Sequence, residues 1–266
     1  MKKVNIMVGK FQPFTVGHYE CIKASKYPTV ICWHIPKQLD AKHPFDTNKL
    51  IKLYHGLIDG SKIIDIIAID RNWIGDIANH QKFKDNGYEI ATWTCGKGDS
   101  NDKEDRPGSY EAMAKRYMNG EGKDDGKAKL ANDFKVIPVS RSMSDADKND
   151  DGNSEFSPYN VSATKVRTCL WKCIDLEESG KIESDEYKKQ KARLASMIPS
   201  KVYNEKFYRE LRDMIKKVPS SRPPELKPVT DNYKYKKYEL YKRIERLENL
   251  LLESRIRNLE KLLDIE

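Results

Sequence analysis

The chain has 266 residues, of which 34% are charged and 38% apolar, and its formal net charge is +8. That is length for one α/β domain of ordinary size plus an appendage, with helical extras rather than a single compact core. No apolar run approaches the roughly 20 residues that cross a bilayer, and the opening "MKKVNIMV" is too short for a secretory signal. The five cysteines, at 21, 32, 95, 169 and 173, form neither a C-x-x-C pair nor an even framework, so reduced thiols in the cytoplasm are expected. The positive charge suits anionic ligands. It is spread through Lys-rich helices, which fits nucleotide phosphates as readily as nucleic acid.

The first strand is expected over 4–9, with a helix near 17–26. Further strands follow at "TVICWHI" (29–35), "KIIDIIAI" (62–69), "YEIATWTC" (88–95) and "FKVIPVS" (134–140), with helices near 46–58, 74–86 and 109–118. Runs apolar on both faces and joined by helices predict a parallel sheet covered on both sides, hence a doubly wound α/β fold. Two polar inserts, 96–109 and 140–160, fall at carboxyl ends of strands, where loops of that length are usually functional or mobile. After residue 161 the pattern is helical: 161–180 from a Ser cap to Gly180, then 184–197 and 200–217. The domain reading is therefore an α/β domain over 1–180, a helical subdomain over 181–218, a proline-rich linker over 219–231, and an amphipathic helical tail over 232–266.

"GKFQPFTVGH" (9–18) joins the first strand to the first helix. In a doubly wound sheet ligands sit at the carboxyl ends of strands, where helix N-termini present amides to anions. Gly9 and Gly17 let the backbone approach a ligand closely. Lys10 and His18 bring charge or donors, Thr15 adds a hydroxyl, and Phe11, Pro13 and Phe14 stiffen the loop. A plain strand–turn–helix joint with a capping histidine has the same residues.

This stretch resembles the G-[KR]-F-x-P-x-[HT]-x-G-H signature of the nucleotidylyltransferase superfamily, and is most like adenylyltransferases acting on nicotinamide mononucleotide. The superfamily's second signature, [IVM]-S-x-T-x-x-R, is matched by "VSATKVR" (161–167). "HPFDTNKLIKLYHGLI" (43–58) resembles the N-P-[FL]-T segment, and "TCGKGD" (94–99) the glycine–aspartate turn after the fourth strand. The likeness runs in order over residues 3–175 and implies a Rossmann-like nucleotidylyltransferase domain with a C-terminal helical extension.

It implies transfer of AMP from Mg-ATP to a small phosphorylated acceptor such as nicotinamide mononucleotide, with pyrophosphate leaving. Such a reaction needs positioning and charge stabilisation but no covalent nucleophile. The implied catalytic set is His18, Thr15, Lys10 and Arg167. His18 donates to the α-phosphate and Arg167 grips the β- and γ-phosphates. The implied nucleotide-binding set is Gly9, Phe11, Gly17, Gly96, Asp99, Ser162, Thr164 and Lys165, with Asp99 on a ribose. His18 and Arg167 are both expected to face solvent at strand ends. Mg²⁺ is expected to bridge the phosphates with few protein ligands, so no protein metal site is assigned. Thr15 stands where the commoner pattern has its first histidine, as in phosphopantetheine adenylyltransferases, and Lys10 where relatives have arginine.

Other signals are weaker. "DKNDDG" (147–152) opens like a calcium loop, but position twelve is Pro158 where a bidentate carboxylate is required. Trp33 and Trp93 could stack on a base yet read better as core. His34 stands near the site, while His43, His55 and His80 have no partners in sequence. The Lys–Tyr runs 187–193 and 233–243 read as solvated helix faces rather than nucleic-acid binders. In the tail, Ile244, Leu247, Leu250 and Leu251 recur 12 residues on as Ile256, Leu259, Leu262 and Leu263. At about 100° per residue the second stripe is turned roughly 120° from the first, so one straight coiled-coil seam cannot hold both. The tail is therefore expected to self-associate or to dock on a protein partner. This supports an alternative role: a structural or virion-type assembly protein, of the kind phage-encoded relatives of the superfamily suggest, carried in a virus particle rather than the cytoplasm.

Overall fold

The structure is a computed structural model describing residues 1–97, 106–121, 130–140 and 161–226. Strands and helices alternate through β1 (Lys2–Gly9), α1 (Val16–Lys23), β2 (Thr29–His34), α2 (Thr47–Tyr54), β3 (Ile63–Ile69), α3 (Ile74–Ala78), α4 (Gln81–Asp85), β4 (Tyr88–Lys97), α5 (Arg106–Met118) and β5 (Leu130–Ser140). The five strands are all parallel, in the order β3-β2-β1-β4-β5. This is the doubly wound sheet expected from strands that read apolar on both faces.

Alternation along each strand divides the core in two. On one face Val4, Ile6, Val30, Cys32, Ile67 and Trp93 pack with Ile74, Ile77, Phe83, Ala114 and Tyr117 of α3–α5. On the other face, β1 carries a fully buried asparagine. Asn5 Nδ2 donates to Thr29 Oγ1 of β2 at 2.9 Å and to Thr94 Oγ1 of β4 at 3.0 Å, and Thr92 Oγ1 donates to Asn5 Oδ1 at 2.8 Å. Every polar atom of that amide is thus engaged, as burial requires.

Several expectations shift: the helix expected over 109–118 starts at Arg106, and the one expected over 200–217 starts at Glu205. The helix expected over 74–86 is two short ones, because His80 leaves helical geometry at ψ 139 and its ring accepts the Lys82 N–H, restarting the chain as α4. β5 begins at Leu130, ahead of 134, where it pairs with Ile90. Asp99, the "DKNDDG" loop, most of both polar inserts and the tail from 227 onward lie outside the described residues.

After β5 come α6 (Ala163–Glu178), α7 (Asp185–Met197) and α8 (Glu205–Ile215). Ser162, Ser184 and Asn204 cap them, each accepting a backbone N–H two or three residues inside the helix. Gly180, at φ +71°, lets the chain leave α6 through the left-handed conformation that side chains disfavour. Residues Met1–Pro223 form one compact unit and Pro224–Glu266 a second. Within the first, the Phe207 ring of α8 meets Tyr54 of α2 edge-on at 5.2 Å, and Lys201 pairs with Asp59 at 3.3 Å. Glu177 gathers the three helices: its Oε1 accepts from Tyr187 at 2.7 Å and Tyr208 at 2.6 Å, and its Oε2 accepts from Arg212 at 3.3 Å. At the start of the proline segment, Trp171 Nε1 donates to Ser221 Oγ at 3.3 Å and Arg222 pairs with Asp175, so this stretch lies on α6.

Candidate functional site

The chain lays down β1, β2 and β3 in one direction across the sheet, then places β4 on the other side of β1. The carboxyl ends of β1 and β4 therefore flank the topological switch point, where open α/β sheets bind ligands. The β1–α1 loop, residues 10–15, lies there.

Hydrogen bonds hold this loop from three sides. Trp33 Nε1 donates to the Lys10 carbonyl at 2.7 Å, and Tyr54 Oη donates to the Phe14 carbonyl at 2.6 Å. Gln12 is buried, and its side chain makes a two-point bond to the main chain of Phe45, taking the N–H at 2.9 Å and giving to the carbonyl at 3.0 Å. The Gln12–Pro13 peptide is cis, and Phe11 sits at φ +39°, in the left-handed region. A β-carbon on Gly9 would lie 2.7 Å from the Phe11 ring, so glycine is required there by close approach. Phe11 in turn packs edge-on to Phe14, His18 and Trp33, with centroids 5.1–5.3 Å away.

Thr15 is the N-cap of α1 and His18 its third residue. The Thr15 backbone N–H donates to His18 Nδ1 at 3.0 Å, and Thr15 Oγ1 lies 2.9 Å from the same nitrogen. A backbone N–H can only donate, so Nδ1 is the unprotonated nitrogen and the proton of the neutral ring is on Nε2. Lys10 is exposed and Gly17 buried. Gly96, expected in a turn, is still within β4, one residue before its end.

The second motif meets the first through Arg167. This residue, expected to face solvent, is only 9% exposed. Its Nη1 donates to the Gln12 carbonyl at 2.7 Å and its Nη2 to Thr164 Oγ1 at 3.1 Å. The reason is local: on α6, Arg167 falls on the inward side between Val166 and Cys169, both buried. Burial pushes its guanidinium below the usual range, and the charge of Asp40 works the other way. The side-chain hydrogen bond from His43, with further ones from the His43 and Lys42 backbone, holds the Asp40 carboxyl below its usual range against its burial. Ser162 accepts the Lys165 N–H at 3.2 Å, Thr164 is exposed and Lys165 half-buried.

The N-termini of α1 and α6, with the β2–α2 loop, thus converge on Gln12. Sequence reading passed over Gln12, Phe45, Tyr54 and Asp40. The available signal was a single amide in the otherwise apolar and cationic run "KFQPF". Trp33 and Trp93 are both fully buried, in keeping with core roles, and Trp93 stacks on Tyr110 at 4.2 Å. His34 Nε2 bonds the Asp70 carbonyl at 2.8 Å. No helix among the described residues is long and apolar enough to cross a membrane.

No family model and no curated protein matches the chain. Among solved structures it is similar to nicotinic acid mononucleotide adenylyltransferase of Plasmodium falciparum. The form complexed with APC is 15% identical at TM-score 0.34, and the form complexed with NaAD 16% identical at TM-score 0.35. In each case the match covers 82% of this chain and 96% of the other. TM-scores this low carry no inference about function; the residues of the site must carry it.

Proposed function

We propose that the protein is a nucleotidylyltransferase that transfers AMP from Mg-ATP to a phosphorylated acceptor, with nicotinamide mononucleotide the first candidate. The observation that carries this reading is the 2.7 Å bond from Arg167 to the Gln12 carbonyl. It joins two motif segments far apart in sequence, each opening a helix whose N-terminal amides favour an anion.

In this reading an acceptor phosphate oxygen attacks the α-phosphorus of ATP. The bond from that phosphorus to the bridging oxygen of the β-phosphate breaks, and pyrophosphate leaves with its electron pair. His18, protonated on Nε2, donates to the α-phosphate as charge grows on its oxygens. Thr15 holds the ring in that tautomer. Lys10 and the α6 amides, with Thr164 and Lys165, receive the β- and γ-phosphates, and Ser162 keeps the helix start in shape. Arg167 contributes the field of a buried cation while it ties α6 to the loop. Gly9, Phe11 and Gly17 give the loop its close approach, and Gly96 and Asp99 are assigned to the ribose side.

Among the described residues no group of three or more His, Cys, Asp or Glu side chains stands together to cage a metal. Lys10 and His18 offer a cation and an N–H donor, which do not ligate Mg²⁺, and the Gln12 oxygens are already engaged by Phe45 and Arg167. Mg²⁺ would ride on the phosphates, where it would neutralise charge.

Incubating the full chain with Mg-ATP and a panel of phosphate acceptors tests the reading. Pyrophosphate release dependent on one acceptor supports it, and no release with any acceptor removes it. The assembly reading rests on residues 232–266, outside the described residues.

A further inference from the structure

We propose that Gln12 is a positioning residue: its side-chain amide locks the loop between β2 and α2 (35–46) onto the β1–α1 loop, so that both substrates meet a preset site. The reach for catalysis rests on the nucleotidylyl-transfer reading, but the clamp itself does not.

The geometry separates two functions within one residue. The main-chain carbonyl of Gln12 accepts from Arg167, while the side chain alone pairs with Phe45. Gln12 is 4% exposed and Phe45 fully buried, so water cannot replace either half of the pairing. Phe45 immediately precedes Asp46, the N-cap of α2, and follows the segment holding Asp40 and His43. Asp40 is the carboxylate whose charge acts on Arg167. The clamp therefore sets where the helix start and the Asp40–His43 pair stand relative to His18 and Arg167. A substitution at 12 removes the clamp on Phe45 and leaves the backbone hold on Arg167.

Gln12→Met tests this, because methionine matches the length and volume of glutamine but offers neither half of the pairing. In the full-length protein, hydrogen–deuterium exchange at the Phe45 amide is expected to accelerate about tenfold or more, from the lost buried bond. The protein should stay folded by circular dichroism. Exchange as slow as in the wild type overturns the clamp. If Gln12→Met fails to fold, Gln12→Glu serves instead: it keeps the acceptor for the Phe45 N–H and loses the donor to the carbonyl, so intermediate acceleration is expected and none refutes. Where the wild type turns over, Gln12→Met should raise KM for a substrate about tenfold with kcat nearly unchanged. A fall in kcat at constant KM overturns the positioning role. A wild type that releases no pyrophosphate defeats the nucleotidylyl-transfer reading, and Phe45 exchange alone then decides the clamp.

Discussion

Arg167→Ala should do two separable things. The guanidinium satisfies the Gln12 carbonyl at 2.7 Å and Thr164 Oγ1 at 3.1 Å. The first acceptor is buried, and leaving it unpaired costs about 1–3 kcal/mol; the second is exposed and its loss costs well under about 1 kcal/mol. The sum, roughly 1–4 kcal/mol, lowers the melting temperature of a unit this size by about 2–16 °C. On the nucleotidylyl-transfer reading, loss of this preorganised charge should also cut turnover by about two orders of magnitude. Arg167→Lys keeps the charge but not the fork, so it should recover part of the turnover and at most half of the stability. Differential scanning fluorimetry and a coupled pyrophosphate assay on the three proteins read both effects. An Arg167→Ala protein melting with the wild type would refute the structural half, and one with wild-type turnover the functional half.

The remaining perturbations act one at a time. His18→Ala should lose about two orders of magnitude in turnover while its stability falls by only about 1 kcal/mol, the worth of one helix-start bond; an inactive but fully unfolded variant would contradict the second figure. Gly9→Ala forces a methyl against the Phe11 ring at 2.7 Å, and urea unfolding should show about 1–3 kcal/mol lost; an unchanged midpoint would mean the ring has room to move. Burial works to raise the Glu177 carboxyl, but hydrogen bonds from Tyr208, Tyr187 and Arg212 outweigh it and hold it below the usual range. Its stabilisation is thus present above the ordinary carboxylate pKa of about 4.3 and is lost as pH falls through the lower folded-state value. The stability gap between wild type and Glu177→Gln should therefore shrink from pH 6 toward pH 3, and a constant gap would refute the assignment.

The sheet was legible because β1 to β4 are runs of β-branched and aromatic residues long enough to be buried on both faces. The strand order was not, since nothing local in "KIIDIIAI" says it is an edge. Ile74, Ile77 and Ala78 share one helical face, but Phe83, nine residues on from Ile74 and so about 180° away, does not; the phase break at His80 was there to be read, and the His80 ring, which caps α4, makes it. In the site, Thr15 and His18 could be placed from spacing, because capping is a local device. The burial of Arg167 and the part played by Gln12 could not. Long polar residues are read as solvent-facing, and only the folded chain shows their charges and amides turned onto main-chain groups 33 and 155 positions away.

Asn5 sits on the middle strand of a sheet whose other inward positions are mostly interchangeable hydrocarbons. Oil is indifferent to which neighbour it touches. The amide is not: it addresses a threonine on β2 with one hand and two threonines on β4 with the other. A strand slipped by one residue, or seated beside the wrong neighbour, would strand that amide in the dark without an answer. A valine at this position could bury equally well and would recognise no one. The knot works like the notch on a key, and what it keys is the alignment of β1 with β4, on whose ends the placement of the His18 loop depends.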